Sequence, residues 1–419
     1  MHWPLCHLDA QMADERPQHK ERKHKRQRLC LDRQEGLQGA TAAGPTTMED
    51  LPVEIVWKIL REKVDGVDGV ACRRVSRLWR QVLERKTKRK YIVETAAAPA
   101  YMEAVARKGW VGVMRWARSE GCRWNAQTCA AAAEGGHLEA LQWARSEGCP
   151  WNSWTCESAA RGGHVEVLRW ASENECQWDS WTCAAAARAG HLGVLKWLRA
   201  NGCPWDKGAC AKAALEGHME VLKWARAHGC PWGKAACANA AKGGHMEILQ
   251  WARENGCPWG KDTCREAAKG GHLDILKWAR SKGCPWNWWT CAYAAKGGHL
   301  EVLEWARDNG CPWDEWTCIW AAESGHLEVA RWAQENGCPW DERVCTGAAR
   351  RGHLEVLKWA RENGCPWGKD ACTEAARSGH LEVLKWARAN GGPWDQNVCV
   401  LSAMANGWTE VAEWARASG

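Results

Sequence analysis

The stretch Thr155-Cys156-Glu157-Ser158-Ala159-Ala160-Arg161-Gly162-Gly163, continued by His164-Val165-Glu166-Val167-Leu168-Arg169-Trp170-Ala171, decides how the rest of the chain is read. Its histidine recurs. His137, His164, His191, His218, His245, His272, His299, His326, His353 and His380 stand 27 residues apart. A fixed period of this size marks stacked supersecondary units and takes precedence over any local signal. Trp110 holds the histidine position one unit earlier, and Trp408 holds it at the far end after a one-residue insertion. That gives about twelve units, with both ends irregular in the way of capping repeats.

Within a unit, the first half predicts a two-turn helix with Thr155 as N-cap, paired alanines for close helix contact and glycine at its end. The second half is amphipathic: Leu381, Val383, Leu384, Trp386 and Ala387 form an apolar stripe, with Glu382 and Lys385 an i,i+3 pair on the wet side. Gly364-Cys365-Pro366-Trp367 ends the preceding helix by glycine-then-proline chemistry. Isolated helices shorter than roughly 12–15 residues are marginal in water, so stability has to come from stacking. Twelve units at about 8–10 Å spacing predict a solenoid on the order of 100 Å long. The expected fold class is therefore all-α.

Composition agrees with copying. There are 34 Trp and 24 Cys, but no Phe and only 3 Tyr. The net charge of +7 is uneven: Leu51 to Thr95 holds 12 Lys and Arg against 6 Asp and Glu, while the repeats are near neutral. Near-neutral repeats weigh against a basic stripe tracking a nucleic-acid backbone. No stretch approaches the roughly 18 apolar residues of a membrane span, and Met1 to Leu8 lacks a signal-peptide core. The expectation is a reduced, cytoplasmic chain, or a nuclear one if the basic run from Arg16 to Arg28 is an address rather than a solvated tail. Residues 1–47 read as a disordered tail, and Met48 is an alternative start.

Gly379-His380-Leu381-Glu382-Val383-Leu384-Lys385-Trp386, with Ala375-Ala376 and the later Gly391, resembles the ankyrin repeat, with its Gly-His turn, alanines and helix-ending glycine. The resemblance covers about residues 91–419. It implies a helix-turn-helix solenoid that binds proteins. The period departs from ankyrin's by about six residues, missing between Trp151 and Thr155, where that family projects a β-hairpin finger. A clipped finger is expected.

Residues 48–90 do not share the period. They open with Leu51-Pro52-Val53-Glu54-Ile55-Val56-Trp57-Lys58-Ile59-Leu60, and after a link containing Gly66 and Gly69 continue through Val75-Ser76-Arg77-Leu78-Trp79. This pattern resembles an F-box. The resemblance implies that Leu51, Pro52, Ile55, Ile59, Val75 and Trp79 contact a Skp-type adaptor of an SCF ubiquitin ligase, or hold the helices that do. The other reading is an N-terminal helical cap for the solenoid.

Two cysteines and one histidine per unit invite a zinc site, but no single unit gathers the four ligands that zinc wants. Equivalent cysteines in neighbouring units lie beyond the roughly 7 Å Cα limit of a disulfide. The cysteines read as small core residues, the histidine as a partner for turn backbone, and the charges of Ala-Arg-Glu-Asn-Gly as solvated helix ends. No phosphate loop or nucleophile elbow is present, so neither an enzyme nor a cofactor is expected. The informative positions vary while the frame stays fixed: Trp288, Trp289, Tyr293, Trp316, Ile319 and Trp320 crowd two adjacent units. They read as anchors for a target protein. The competing reading has Trp289 and Trp316, like Trp154 and Trp181, packing on the next unit's loop.

Overall fold

The structure, a computed structural model, describes residues 99–418 apart from residue 120. Among these residues there are twenty-four α-helices, from α1 (Pro99–Arg107) to α24 (Thr409–Ala417), and no strand. They form twelve pairs, an odd-numbered first helix and an even-numbered second helix in each unit. A short strandless loop replaces any projecting finger.

In α5 (Ser153–Gly162) the cap is Asn152, whose side chain accepts from the Trp154 N–H at 3.1 Å. Thr155, the cap expected from sequence, is instead fully buried inside the first turn. The reason shows in two other units, where the equivalent threonine belongs to the cap without being it. Asp179 accepts from Trp181 N–H at 2.9 Å, while the Thr182 hydroxyl accepts from the Asp179 N–H at 3.4 Å. Two side chains thereby serve the N-terminal donors that every helix leaves open. At the other end of α5, Gly163 takes the left-handed conformation, φ 84°, and turns the chain into α6 (Val165–Glu173). There Val167, Leu168 and Ala171 are buried. In α22 (Leu381–Ala389), Val383, Leu384 and Ala387 are buried likewise, and Lys385 meets Glu382 at 2.8 Å outside.

Units stack chiefly through their first helices. Alanines such as Ala159, Ala160, Ala186 and Ala187 are fully buried there and let the backbones approach closely, whereas successive second helices barely touch. The repeated histidine locks the steps from His164 to His353. His164 Nε2 lies 3.0 Å from the Glu134 carbonyl, His191 Nε2 3.0 Å from Arg161 O, and His299 Nε2 3.1 Å from Lys269 O, each at the end of the previous unit's first helix. A carbonyl only accepts, so Nε2 carries the hydrogen. Trp408 makes the same point independently: its indole N–H, which can only donate, reaches Arg377 O at 3.0 Å. Burial holds the His353 imidazole below its ordinary value, which favours the neutral ring. The ring needs glycine beneath it, since a Cβ on Gly298 (φ 76°) would stand 2.6 Å from His326.

A second frame closes each unit. The Cys149 thiol donates to Asn125 O at 3.4 Å, and the Cys129 thiol on α3 (Ala126–Glu134) faces it. The hydrogen bond to Cys149, with burial, pushes the Cys129 thiol far above the ordinary range. Cys372, in the unit with Gly392 at the partner position, is pushed up to about 12, mainly by burial. Every described cysteine is buried and outside any disulfide. Outside the thiols, Trp124 meets Trp143 edge-on at 5.7 Å, and the Arg118 guanidinium lies 3.9 Å over Trp124 while donating to Cys122 O at 2.8 Å. Arg253, in an Ala-Arg-Glu-Asn-Gly run, sits 4.3 Å over Trp259 and bonds the Cys257 carbonyl. These arginines are therefore structural, contrary to the solvated ends expected. Their planar fork serves a ring face and a helix-end carbonyl at once.

His299→Phe keeps a ring against Gly271 but leaves Lys269 O without its donor. It should cost about 1–3 kcal/mol of unfolding free energy, read as a lower urea midpoint. An unchanged midpoint would remove the histidine ladder from the frame. The buried thiols should react with a bulky thiol reagent only as fast as the array unfolds, and fast labelling of most of them in native buffer would contradict the packing described.

Candidate functional site

The side chains that the frame leaves free lie on the outer face of the first helices. Four elements carry the densest group: α13 (Lys261–Gly270), α15 (Trp288–Gly297), α17 (Glu315–Glu323) and α19 (Glu342–Arg351). Each helix starts from the same capped turn, so equivalent positions line up from unit to unit. Trp288 stacks on Trp289 with centroids 4.3 Å apart. Trp289 lies 5.6 Å from Tyr293 and 5.3 Å from Trp320 in the next unit. Tyr293 meets Trp320 edge-on at 4.9 Å, and Trp316 lies 5.9 Å from Trp320.

Five of the six residues singled out in the sequence thus form one continuous aromatic surface, every ring half-buried. Ile319 does not belong to it. It is 1% exposed, filling the seam where five other units place a buried alanine such as Ala292. Trp289 and Trp316 pack on rings of this cluster, and the equivalent Trp154 and Trp181 are 53% and 62% exposed. These last two flank an open cleft of about 470 Å³ with Gln127, Glu157, Ser158 and Arg161.

Cations surround the aromatic surface, and sequence reading missed them. Lys269 Nζ lies 5.4 Å from the Tyr293 ring, Lys296 Nζ 4.8 Å from Trp320, Arg265 5.5 Å from Tyr293 and Arg343 5.1 Å from Trp316. Their register was the available signal: Arg343 stands one period after Trp316, and Lys269 one period before Lys296. Arg343 also grips Asp341 through Nε and Nη2, and that hydrogen bonding holds the Asp341 carboxyl below the usual carboxylate range. Burial pushes Asp314 the other way. Chemically, the surface offers flat apolar area, which binds well when desolvated, beside positive charge.

Among the described residues no three His, Cys, Asp or Glu side chains converge as a metal site would need, and no helix is long and apolar enough to cross a membrane. Leu51, Pro52, Ile55, Ile59, Val75 and Trp79 lie outside the described residues.

No protein-family model matches the chain, and no curated protein matches it. Among solved structures it is similar to the human ASB11 ankyrin repeat domain, at 20% identity over 42% of this chain and 96% of that one, with a TM-score of 0.33. That likeness bears on no function. The architecture set out above, paired helices stacked as an ankyrin-like array, stands on the geometry of the units themselves.

Proposed function

We propose that the array is a protein-recognition scaffold and that the aromatic surface across α15 and α17 receives the target. The observation carrying this reading is that Trp288, Trp289, Tyr293, Trp316 and Trp320 occupy positions the repeat does not require, yet meet in one half-exposed patch. Large aromatics bearing no part of the frame are the usual anchors of protein interfaces. The finer part of the proposal gives residues 48–90 the role of an F-box-like arm, through which a Skp-type adaptor would bring the target to a ubiquitin ligase. It rests on the Leu51-Pro52 opening, Ile59-Leu60 and the Val75/Trp79 pair in the sequence. An ankyrin-like scaffold with no ligase role is the alternative for that arm.

Two measurements bear on this. In the full chain, Leu51→Ala with Pro52→Ala should abolish capture of a Skp-type adaptor in a pull-down and leave the far-UV circular dichroism unchanged. If the unsubstituted chain captures no adaptor, the ligase arm fails and the scaffold reading remains. Trp288→Ala with Trp320→Ala should weaken a target recovered from reduced lysate by about 2 kcal/mol or more per anchor. Surface aromatic contacts are worth about 0.5–1.5 kcal/mol to the fold, against about 3–5 for a core tryptophan, so melting should shift only modestly. A large drop in melting temperature with affinity intact would return these rings to the frame.

A further inference from the structure

The basic residues of the array are not shared evenly between its two kinds of helix. In the four consecutive units that end at the aromatic surface, the first helices with their N-cap residues (206–215, 233–243, 260–270 and 287–297) carry eight Lys and Arg against three Asp and Glu. The second helices of the same units (219–227, 246–254, 273–281 and 300–308) carry six against seven. The face that bears the aromatic patch is therefore positive, and the opposite face is close to neutral.

Within that face, Arg265 is already engaged by Asp262 at 2.7 Å and Glu266 at 3.0 Å, and Arg343 by Asp341 at 2.6 Å and Glu315 at 3.2 Å. Lys269 and Lys296 differ. Among the described residues neither ammonium pairs with a carboxylate, and both stand over rings of the patch. Their backbones are fixed as well, since Lys269 O and Lys296 O accept from His299 and His326 of the ladder. Two unneutralised cations, one unit apart and held beside a flat apolar surface, favour an incoming aromatic group that carries carboxylates with it.

The positive face also stops. The cap and first helix of the next unit (314–323) contain Asp314, Glu315 and Glu323 and no Lys or Arg. A long polyanion such as a nucleic-acid strand would find no unpaired cation there, since Glu315 and Glu323 already hold Arg343 and Arg350 of the following unit, whereas a short segment can end its charge where the rings begin.

Resting on the reading of this surface as the target site, we infer that its ligand is an acidic peptide segment. An aromatic residue seats on Trp289, Tyr293 and Trp320, and the neighbouring Asp or Glu side chains meet Lys269 and Lys296.

The test uses the full chain and fluorescein-labelled peptides of about twelve residues containing one Trp among Glu residues. Comparison peptides replace Glu by Gln, Glu by Lys, or Trp by Ser, and an oligothymidine of similar length serves as the nucleic-acid probe. The Glu/Trp peptide should bind about tenfold or more tighter than its Gln counterpart, and that advantage should shrink between about 50 and 500 mM salt. Lys269→Glu with Lys296→Glu should erase it. Lys196→Glu with Lys277→Glu makes the same charge change on exposed lysines of second helices and should leave it intact. If the Gln peptide binds equally and Trp288→Ala with Trp320→Ala weakens both, the charge inference is overturned while the aromatic site stands. If that tryptophan pair has no effect on any peptide, or no peptide binds, both readings of the surface fall. Tighter binding of oligothymidine would overturn the inference in favour of a single-stranded nucleic acid.

Discussion

A hydrogen bond from one unit's histidine to the last carbonyls of its predecessor's first helix is the contact on which the array depends. A nine- or ten-residue helix has four carbonyls with no partner inside it and cannot hold its own shape in water. The imidazole N–H supplies one missing donor from outside, and its ring covers the glycine turn that ends the helix. Neither element of the contact works without the other. His326 would collide with any side chain at Gly298, and without the ring that turn would lie open. Each unit is thereby completed by the one that follows, so stability belongs to interfaces more than to units.

The thiols, tryptophans and arginines fill in around that bond. Cys149 ties its loop to the backbone of its own unit, while the guanidinium of Arg145 joins the same loop to Trp151. These roles explain the odd composition. A side chain that donates weakly and packs small suits the seam, and a broad ring suits a guanidinium lid.

The period, the paired helices, the buried stripe of the second helix and the glycine turns were all legible in the sequence, because each depends on residues close together along the chain. What escaped depends on partners further off. Thr155 passed for a cap because its hydroxyl type fits one, but Asn152 lies at the true start and only the fold shows the threonine turned inward. Arg253 looked solvated because the ring that receives it stands beyond the glycine, in the following loop. At the candidate site the aromatics stood out against a fixed background, whereas Lys269 and Lys296 resembled ordinary helix-end charges until their rings were placed beside them. Ile319 was drawn in by its variability. Its position faces the seam, where Glu157 or Arg265 turns partly outward and an isoleucine turns in.

Because the ladder steps from His164 to His353 use the same donor, the same turn and the same thiol seam, the array behaves there as a ruler graduated in single units. Trp154 and Trp289 occupy the same mark five graduations apart, as do Trp181 and Trp316. Gain or loss of one whole unit between them would leave every interface intact and move the two aromatic clusters by a fixed increment. Distance between contact points on such a chain can change only in quanta, and duplication in the gene, rather than point substitution, is the natural way to set it.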